Sequence, residues 1–261
     1  MRTMLFVAAL TAALISIAVA QDNRLPEASL DREVNLQARV AIPGNSPHRA
    51  PGPPSYCKPC LFYAGDFDSN ASDANGLANE FDLVVSTGAA VYTPFIVPKG
   101  KTWTITGLFT NNILSAGVLD PATSPYEIRK GIPATGGGGG KLVCHGTKKS
   151  TAIQTGIIRG YPFLIWAVSV RGIKGCTLKS GKYWMSVIPY CTNSNDDVCI
   201  NSYRSFLSND DGAMAHRFGP LEPANDSFFN STYFGANWDP TSKWQSSVRF
   251  SIGVEGTSTR K

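Results

Sequence analysis

The chain has 261 residues and a formal net charge of +5, and it is 43% hydrophobic but only 16% charged. Such a low charged fraction, together with 25 glycines, argues against a mainly helical fold and favours strands joined by turns. The Lys and Arg residues are scattered along the sequence and form no stripe mixed with aromatic residues, so we expect no nucleic-acid partner.

The first 20 residues have the pattern of a secretory signal peptide. Arg2 precedes an apolar run, and Ala18-Val-Ala20 forms a small-x-small cleavage site before Gln21. A membrane-spanning helix is the alternative, but the run is short and no positively charged stop-transfer segment follows it. Later apolar runs also fall short of the ~20 residues that cross a bilayer. We therefore expect a secreted, extracellular protein whose mature chain has no transmembrane segment.

Residues 21–54 are rich in proline and poor in apolar periodicity. Six prolines in this stretch favour an extended chain with few backbone hydrogen bonds. We interpret residues 21–54 as a disordered, flexible spacer. The remaining residues, 55–261, are expected to form one disulfide-bonded β domain.

Six cysteines behind an export signal indicate disulfide bonds, because the exported chain meets oxidising conditions. The Cys57-Lys-Pro-Cys60 motif leaves two other functions open. A redox pair needs a strand-to-helix context that activates one thiol, and a zinc site needs a second, suitably spaced ligand pair. Neither requirement is evident in the sequence. The preferred pairs are Cys57–Cys60, Cys144–Cys176 and Cys191–Cys199.

An acidic segment between Gly65 and Gly76 is the candidate calcium site. Calcium takes about 6–8 oxygen ligands, and alternating Asp and Asn side chains on a tight loop can direct several oxygens to one point. The alternative is that Asp, Asn and Gly are simply good turn formers. The sequence departs from a helix-flanked calcium loop, since Ala71 stands where that loop needs glycine. The candidate calcium ligands are Asp66, Asp68, Asn70 and Asp73.

The next segments have strand character. Residues 91–98 are extended and punctuated by proline, which is typical of an edge strand. Lys99-Gly100 predicts a turn, and in the following stretch Trp103 and Ile105 alternate with threonines, as in a half-buried strand. The glycine run 136–140 predicts a loop or hairpin between short strands. It lacks the Lys-Ser/Thr ending of a phosphate-binding loop.

Residues 161–189 contain two β-rich runs that predict neighbouring strands. In the second run, Tyr183, Met185 and Val187 share one face, whereas Trp184 and Ile188 share the other. A strand that is apolar on both faces lies inside a sandwich or a barrel. A final strand alternates apolar residues at 248, 250, 252 and 254. These patterns predict an all-β, antiparallel, jelly-roll-like β-sandwich.

Several of these motifs occur in an order that resembles a family. They are Val91-Tyr-x-Pro-Phe-x-Val-Pro98, Lys101-Thr-Trp-Thr-Ile-Thr-Gly-Leu-Phe-x-Asn111, Tyr126-Glu-Ile-Arg129, the glycine run and Gly181-Lys-Tyr-Trp-Met-Ser-Val-Ile-Pro189. The chain resembles a group of secreted, largely uncharacterised bacterial β-sandwich proteins over residues 66–189. The resemblance implies a fold and carries no catalytic residues.

Two tryptophans, Trp238 and Trp244, flank Asp239-Pro240 in a polar stretch and are candidate ligand-binding residues, because exposed aromatic rings stack on sugar faces. No residue is assigned a catalytic role, since neither Gly-x-Ser-x-Gly nor His-Glu-x-x-His occurs. The sequence favours a non-catalytic binding or cell-surface module, with an extracellular glycan or a cell-surface component as its partner.

Two alternatives remain. One is a structural component of an extracellular matrix or fibre. The other is a secreted polysaccharide hydrolase, which needs a pair of carboxylates. That pair could come from Asp66, Asp68, Glu127 and Asp239.

Overall fold

The computed structural model describes residues 53–65, 76–83, 87–114, 122–160, 163–191, 213–215, 227–232, 234–243 and 250–260. The predicted signal peptide, the spacer as far as residue 52, the acidic loop, Cys199 and Trp244 lie outside these residues. The strands are β1 Cys60–Tyr63, β2 Gly76–Ala78, β3 Glu80–Asp82, β4 Thr87–Leu114, β5 Thr123–Lys130, β6 Lys141–Gly160, β7 Phe163–Arg171, β8 Thr177–Val187, β9 Tyr190–Cys191, β10 Ala213–Ala215, β11 Phe228–Ser231, β12 Ala236–Pro240 and β13 Ile252–Arg260. A 3-10 turn, Thr241–Lys243, follows β12.

The described residues confirm the prediction of an all-β, antiparallel fold, in which the short β3–β9 contact is a parallel pairing. No helix in this part of the chain is long and apolar enough to cross a membrane. Pro54, at the end of the predicted spacer, is buried, and its carbonyl accepts a hydrogen bond from the Cys57 N–H. The last spacer residue therefore packs against the β domain.

Strand β4 organises the sheet because its 28 residues pair with a succession of partners. Its start pairs with β3 and β11, its middle with β8, and its end with β7 and β13. A turn was predicted at Lys99-Gly100, but the strand continues through these two residues. Val97 and Thr102 face Gly181 and Lys179, so residues 98–101 form a bulge with Gly100 at φ 73°.

The pairing closes the sheet into a barrel, and this differs from the predicted sandwich. From β4 the order runs through β7, β6, β5 and β8, and β8 returns to β4. Strand β4 completes the ring because its first half pairs with β8 and its second half pairs with β7. In this arrangement β7 and β8 lie in succession along β4, with no ladder between them, so they are not the neighbouring pair that the sequence predicts.

The two faces of β8 divide the apolar residues as predicted. Tyr183, Met185 and Val187 lie in the main core with Trp103 and Ile105 of β4. A second, smaller cluster on the opposite face contains Trp184 and Phe228, and Ile188 packs against it. Strand alternation explains this division, because successive side chains point to opposite faces. The outer apolar cluster is where the candidate site is built.

Two of the predicted disulfides are confirmed, Cys57–Cys60 and Cys144–Cys176. The pairing of Cys191 with Cys199 stays a prediction, since Cys199 and the side chain of Cys191 are not described. The Cys144–Cys176 bond links β6 to the loop that precedes β8, and both of its cysteines are buried.

An ion pair between a buried glutamate and a partly exposed arginine holds the loop of the first disulfide. Arg171 Nε and Nη2 donate to the two carboxylate oxygens of Glu255, each at 2.9 Å. The backbone N–H of Lys58 donates to the same carboxylate at 3.1 Å. Gly107 of β4 lies opposite both Arg171 and Glu255, and a Cβ there would collide with the Glu255 carboxylate and lie 3.2 Å from Arg171 Cγ. This glycine lets the two charged side chains meet across the intervening strand.

Candidate functional site

Four strands bring one group of polar and aromatic side chains onto the outer face of the barrel. We call it the outer cluster, and it consists of Tyr92, Glu127, Arg129, Trp184 and Trp238. In the sheet register, Arg129 of β5 pairs with Trp184 of β8, and Trp184 pairs with Pro94 of β4. Ile128 points into the core, so alternation sends Glu127 and Arg129 to the outer face.

The Glu127 carboxylate is the polar centre of the outer cluster. Its Oε2 accepts a hydrogen bond from Arg129 Nε at 2.6 Å and another from the Tyr92 hydroxyl at 2.8 Å. Arg129 Nη1 also donates to the Gly139 carbonyl at 3.2 Å. The Arg129 and Glu127 side chains are 16% and 24% exposed, so this ion pair is largely but not fully shielded from solvent. Charge-assisted bonds of this kind fix side chains in one geometry.

Burial and charge together perturb two groups of the outer cluster. Burial raises the pKa of Tyr92, and the neighbouring negative charge of Glu127 raises it further. Burial works against the charge of Arg129, but the hydrogen bond and the charge of Glu127 outweigh it and raise the pKa of Arg129. Tyr92 is therefore a neutral hydrogen-bond donor and Arg129 a fixed cation at neutral pH.

Trp238 is held between these groups. The centre of its ring lies 4.6 Å from that of Tyr92 and 4.4 Å from Arg129 Cζ, within cation–π range. Its backbone has φ 55°, the one positive value at a non-glycine residue in the described part of the chain. A bulky residue in this region is strained. The sequence predicted an exposed ring, whereas the structure shows a half-buried one.

The glycine run forms the wall beside Trp238. It connects β5 to β6, as predicted, and the Gly137 N–H donates to the Asn237 carbonyl at 3.1 Å. A Cβ on Gly139 would lie 2.5 Å from the Trp238 ring and 2.8 Å from Arg129 Nη1. A Cβ on Gly138 would meet no atom within 4 Å. Gly139 is therefore required for the close packing of Trp238, and its neighbour Gly138 is not.

The structure describes only some of the predicted site residues. Trp238 belongs to the outer cluster, while Trp244 and the candidate calcium ligands Asp66, Asp68, Asn70 and Asp73 lie outside the described residues. The calcium prediction therefore stays a prediction. Of the carboxylates named for a hydrolase, Glu127 is bound by Arg129 and Tyr92, and Asp239 accepts a hydrogen bond from Lys243 Nζ at 2.8 Å.

Sequence reasoning missed the remaining members of the outer cluster. Glu127 was named only as one of four possible hydrolase carboxylates, and Arg129 was assigned only to a short strand. Trp184 was expected only as a buried residue. One signal was available, because charged residues two apart on a strand share a face and can form an ion pair. The sequence did not reveal that Trp238, more than 100 positions later, packs on that pair.

Fold and site together define a class, a disulfide-bonded, closed all-β domain with an aromatic and cationic cluster on its outer face. No protein-family model matches the sequence, and no curated protein matches it. The resemblance to secreted bacterial β-sandwich proteins therefore stays a prediction. The function has to be inferred from the geometry of the site.

Proposed function

We propose that this protein is a secreted, non-catalytic binding module and that the outer cluster contacts an extracellular glycan. The observation that carries the proposal is the strained backbone of Trp238. A non-glycine residue at such a φ costs about 1–3 kcal/mol and persists only where its surroundings hold it, most often at functional sites. Here a tyrosine ring, an arginine and a glycine wall hold it.

The chemistry of the outer cluster suits a sugar. Carbohydrate recognition needs an apolar ring edge beside fixed donors and acceptors, with little reorganisation on binding. The ring of Trp238 provides the first, and the interlocked Glu127 and Arg129 provide the second. Both charged groups retain some exposure, so each has an edge that a ligand can reach. Because the array is already ordered, little conformational entropy is lost when a ligand binds.

The hydrolase alternative depends on a carboxylate that can exchange protons with the substrate. Glu127 is engaged by two donors and Asp239 by a lysine, which supports binding over proton transfer at these two positions. The alternative of a structural component depends on self-assembly. The two alternatives can be told apart by experiment. A hydrolase releases reducing sugar, whereas a structural component self-assembles and retains no glycan.

The test is retention of the purified protein on insoluble cellulose, chitin and peptidoglycan, with reducing sugar measured in the supernatant. We expect retention without sugar release. Gly139→Ala displaces the Trp238 ring and should lose most of the retention, whereas the matched control Gly138→Ala should keep it. Equal retention by the two variants would show that the outer cluster is not part of the binding surface. Release of reducing sugar would favour the hydrolase.

A further inference from the structure

We propose that one end of the barrel binds an acidic polysaccharide. The inference rests on the proposed binding function and adds to it the charge of the ligand. Basic residues from five neighbouring strands gather where β5 ends, β6 and β8 begin, β13 ends and β4 forms its bulge. We call this group the basic end, and its members are Lys99, Lys101, Lys130, Lys141, Lys179, Lys182 and Arg260.

The strand register places like charges directly opposite each other twice. Lys130 of β5 pairs with Lys141 of β6, and Lys101 of β4 pairs with Arg260 of β13. Directly opposed like charges destabilise a sheet. Two such pairs at one end of the same barrel are therefore a cost to folding, and an anionic ligand bound between them would offset it.

Two of these cations make cation–π contacts with aromatic rings. Lys130 Nζ lies 5.4 Å from the centre of the Tyr183 ring, and Lys182 Nζ lies 4.8 Å from that of Trp184. Both rings are buried, at 3% and 6% exposure, so they position the ammonium groups and offer no open face to a ligand. This disfavours nucleic acid, whose single-stranded bases are bound by stacking on exposed rings.

Three described carboxylates are already paired with other cations. Glu127 is paired with Arg129, Glu255 with Arg171 and Asp239 with Lys243. These three carboxylates therefore leave the basic end with its positive charge. Field lines from several like charges add, and they attract a polyanion more strongly than any single lysine does.

The width of the basic end indicates a polymer. Lys141 and Arg260 lie on strands separated by three others, β5, β8 and β4. At about 4.8 Å between neighbouring strands, the row of cations covers roughly 19 Å measured around the curved sheet. A repeating row of sulfate or carboxylate groups can contact the whole row of cations, whereas a small anion contacts one or two. Lys182 and Arg129 also join the basic end to the outer cluster through Trp184.

The experiment compares a charged polysaccharide with its uncharged parent and adds a second acidic polymer. Binding of the full chain to dextran sulfate and to unmodified dextran is measured by affinity electrophoresis, with alginate as a carboxylate polymer. The test variant is Lys141→Gln with Lys179→Gln, and the matched control is Lys148→Gln with Lys149→Gln. Both remove two charges, but the control pair lies in the middle of β6, about 24 Å along the strand from Lys141 at 3.4 Å per residue.

We expect binding to dextran sulfate and alginate, about tenfold weaker in the test variant at ~0.15 M salt and nearly unchanged in the control. Equal losses in the two variants would overturn the proposal, since net charge alone would then explain binding. Retention on cellulose, chitin or peptidoglycan with no preference for dextran sulfate over dextran would overturn it while leaving the proposed function standing. Tighter binding to single-stranded DNA or to phosphatidylglycerol vesicles than to either acidic polysaccharide would also overturn it.

Discussion

Replacing Arg129 by Met isolates the group that holds the outer cluster together. Methionine keeps most of the apolar stem but removes the charge that contacts Glu127, Gly139 and Trp238. Loss of a hydrogen bond to a charged group costs about 1.5–3 kcal/mol, the Gly139 bond about 0.5–1.5 and the cation–π contact about 0.5–2. Contacts that share one side chain are not additive, so we expect a net loss of about 3 kcal/mol.

Thermal unfolding at pH 7, followed by circular dichroism, measures this loss. In a domain of about 150–250 residues, each kcal/mol lowers Tm by about 2–4 °C, so we expect Arg129→Met to lower it by about 6–12 °C. Lys243→Met is the matched control, because it breaks an ion pair whose lysine is 56% exposed. Exposed pairs contribute about 0.2–1 kcal/mol. A Tm for Arg129→Met within about 2 °C of that of the control would refute the assignment of Arg129 as the centre of the outer cluster.

Two further predictions concern buried charge. Tyr92→Phe removes one donor from Glu127 and should cost about 1.5–3 kcal/mol at pH 7, measured by urea unfolding. Because the folded state raises the pKa of Tyr92 above its ordinary value of 10.0, its neutral form stabilises the fold below pH 10.0, and this contribution is lost as the pH rises further. The wild type should therefore lose stability more steeply above pH 10.0 than Tyr92→Phe, and identical slopes would contradict the burial of this hydroxyl. Arg171→Met leaves Glu255, only 2% exposed, without its cation and should cost about 3 kcal/mol, at the low end for buried pairs because the Arg171 side chain is 45% exposed. Adding Glu255→Gln should recover part of that loss, and a double variant no more stable than the single one would argue against an uncompensated charge.

Local patterns were sufficient to predict the strands and their faces. The alternation of Tyr183, Met185 and Val187 against Trp184 required only the two-residue period of a strand. Trp103 and Ile105 were predicted in the same way, and they are buried at 5% and 0% exposure. In each case the signal lies within a few residues and does not depend on the partner strand.

The closure of the sheet could not be predicted in this way. A turn and a bulge at Gly100 both need a left-handed backbone, so the local sequence is the same for a chain that reverses and for one that continues. Continuation makes β4 long enough to pair at both ends, and this converts the expected sandwich into a barrel. The pairings that close the barrel join residues as distant as Thr93 and Met185, which no local pattern reports.

The candidate site was predicted only in part for a related reason. The polar residues around Trp238 favoured an exposed ring, and the ring is half-buried because the distant glycine run and Arg129 pack against it. The basic end was hidden for the same reason. Its residues are spread from Lys99 to Arg260 in the sequence, and only the strand register brings them together.

The central claim is that Trp238 lies at the ligand surface, and its own fluorescence tests this most directly. The wild type and Trp238→Phe are titrated with a soluble oligosaccharide of whichever polysaccharide retains the protein, while tryptophan emission is recorded. We predict a saturable change in the wild type that is largely absent in Trp238→Phe, since the other described tryptophan of the outer cluster, Trp184, is only 6% exposed. An equal, saturable change in both proteins, or no binding to any polysaccharide tested, would contradict the account.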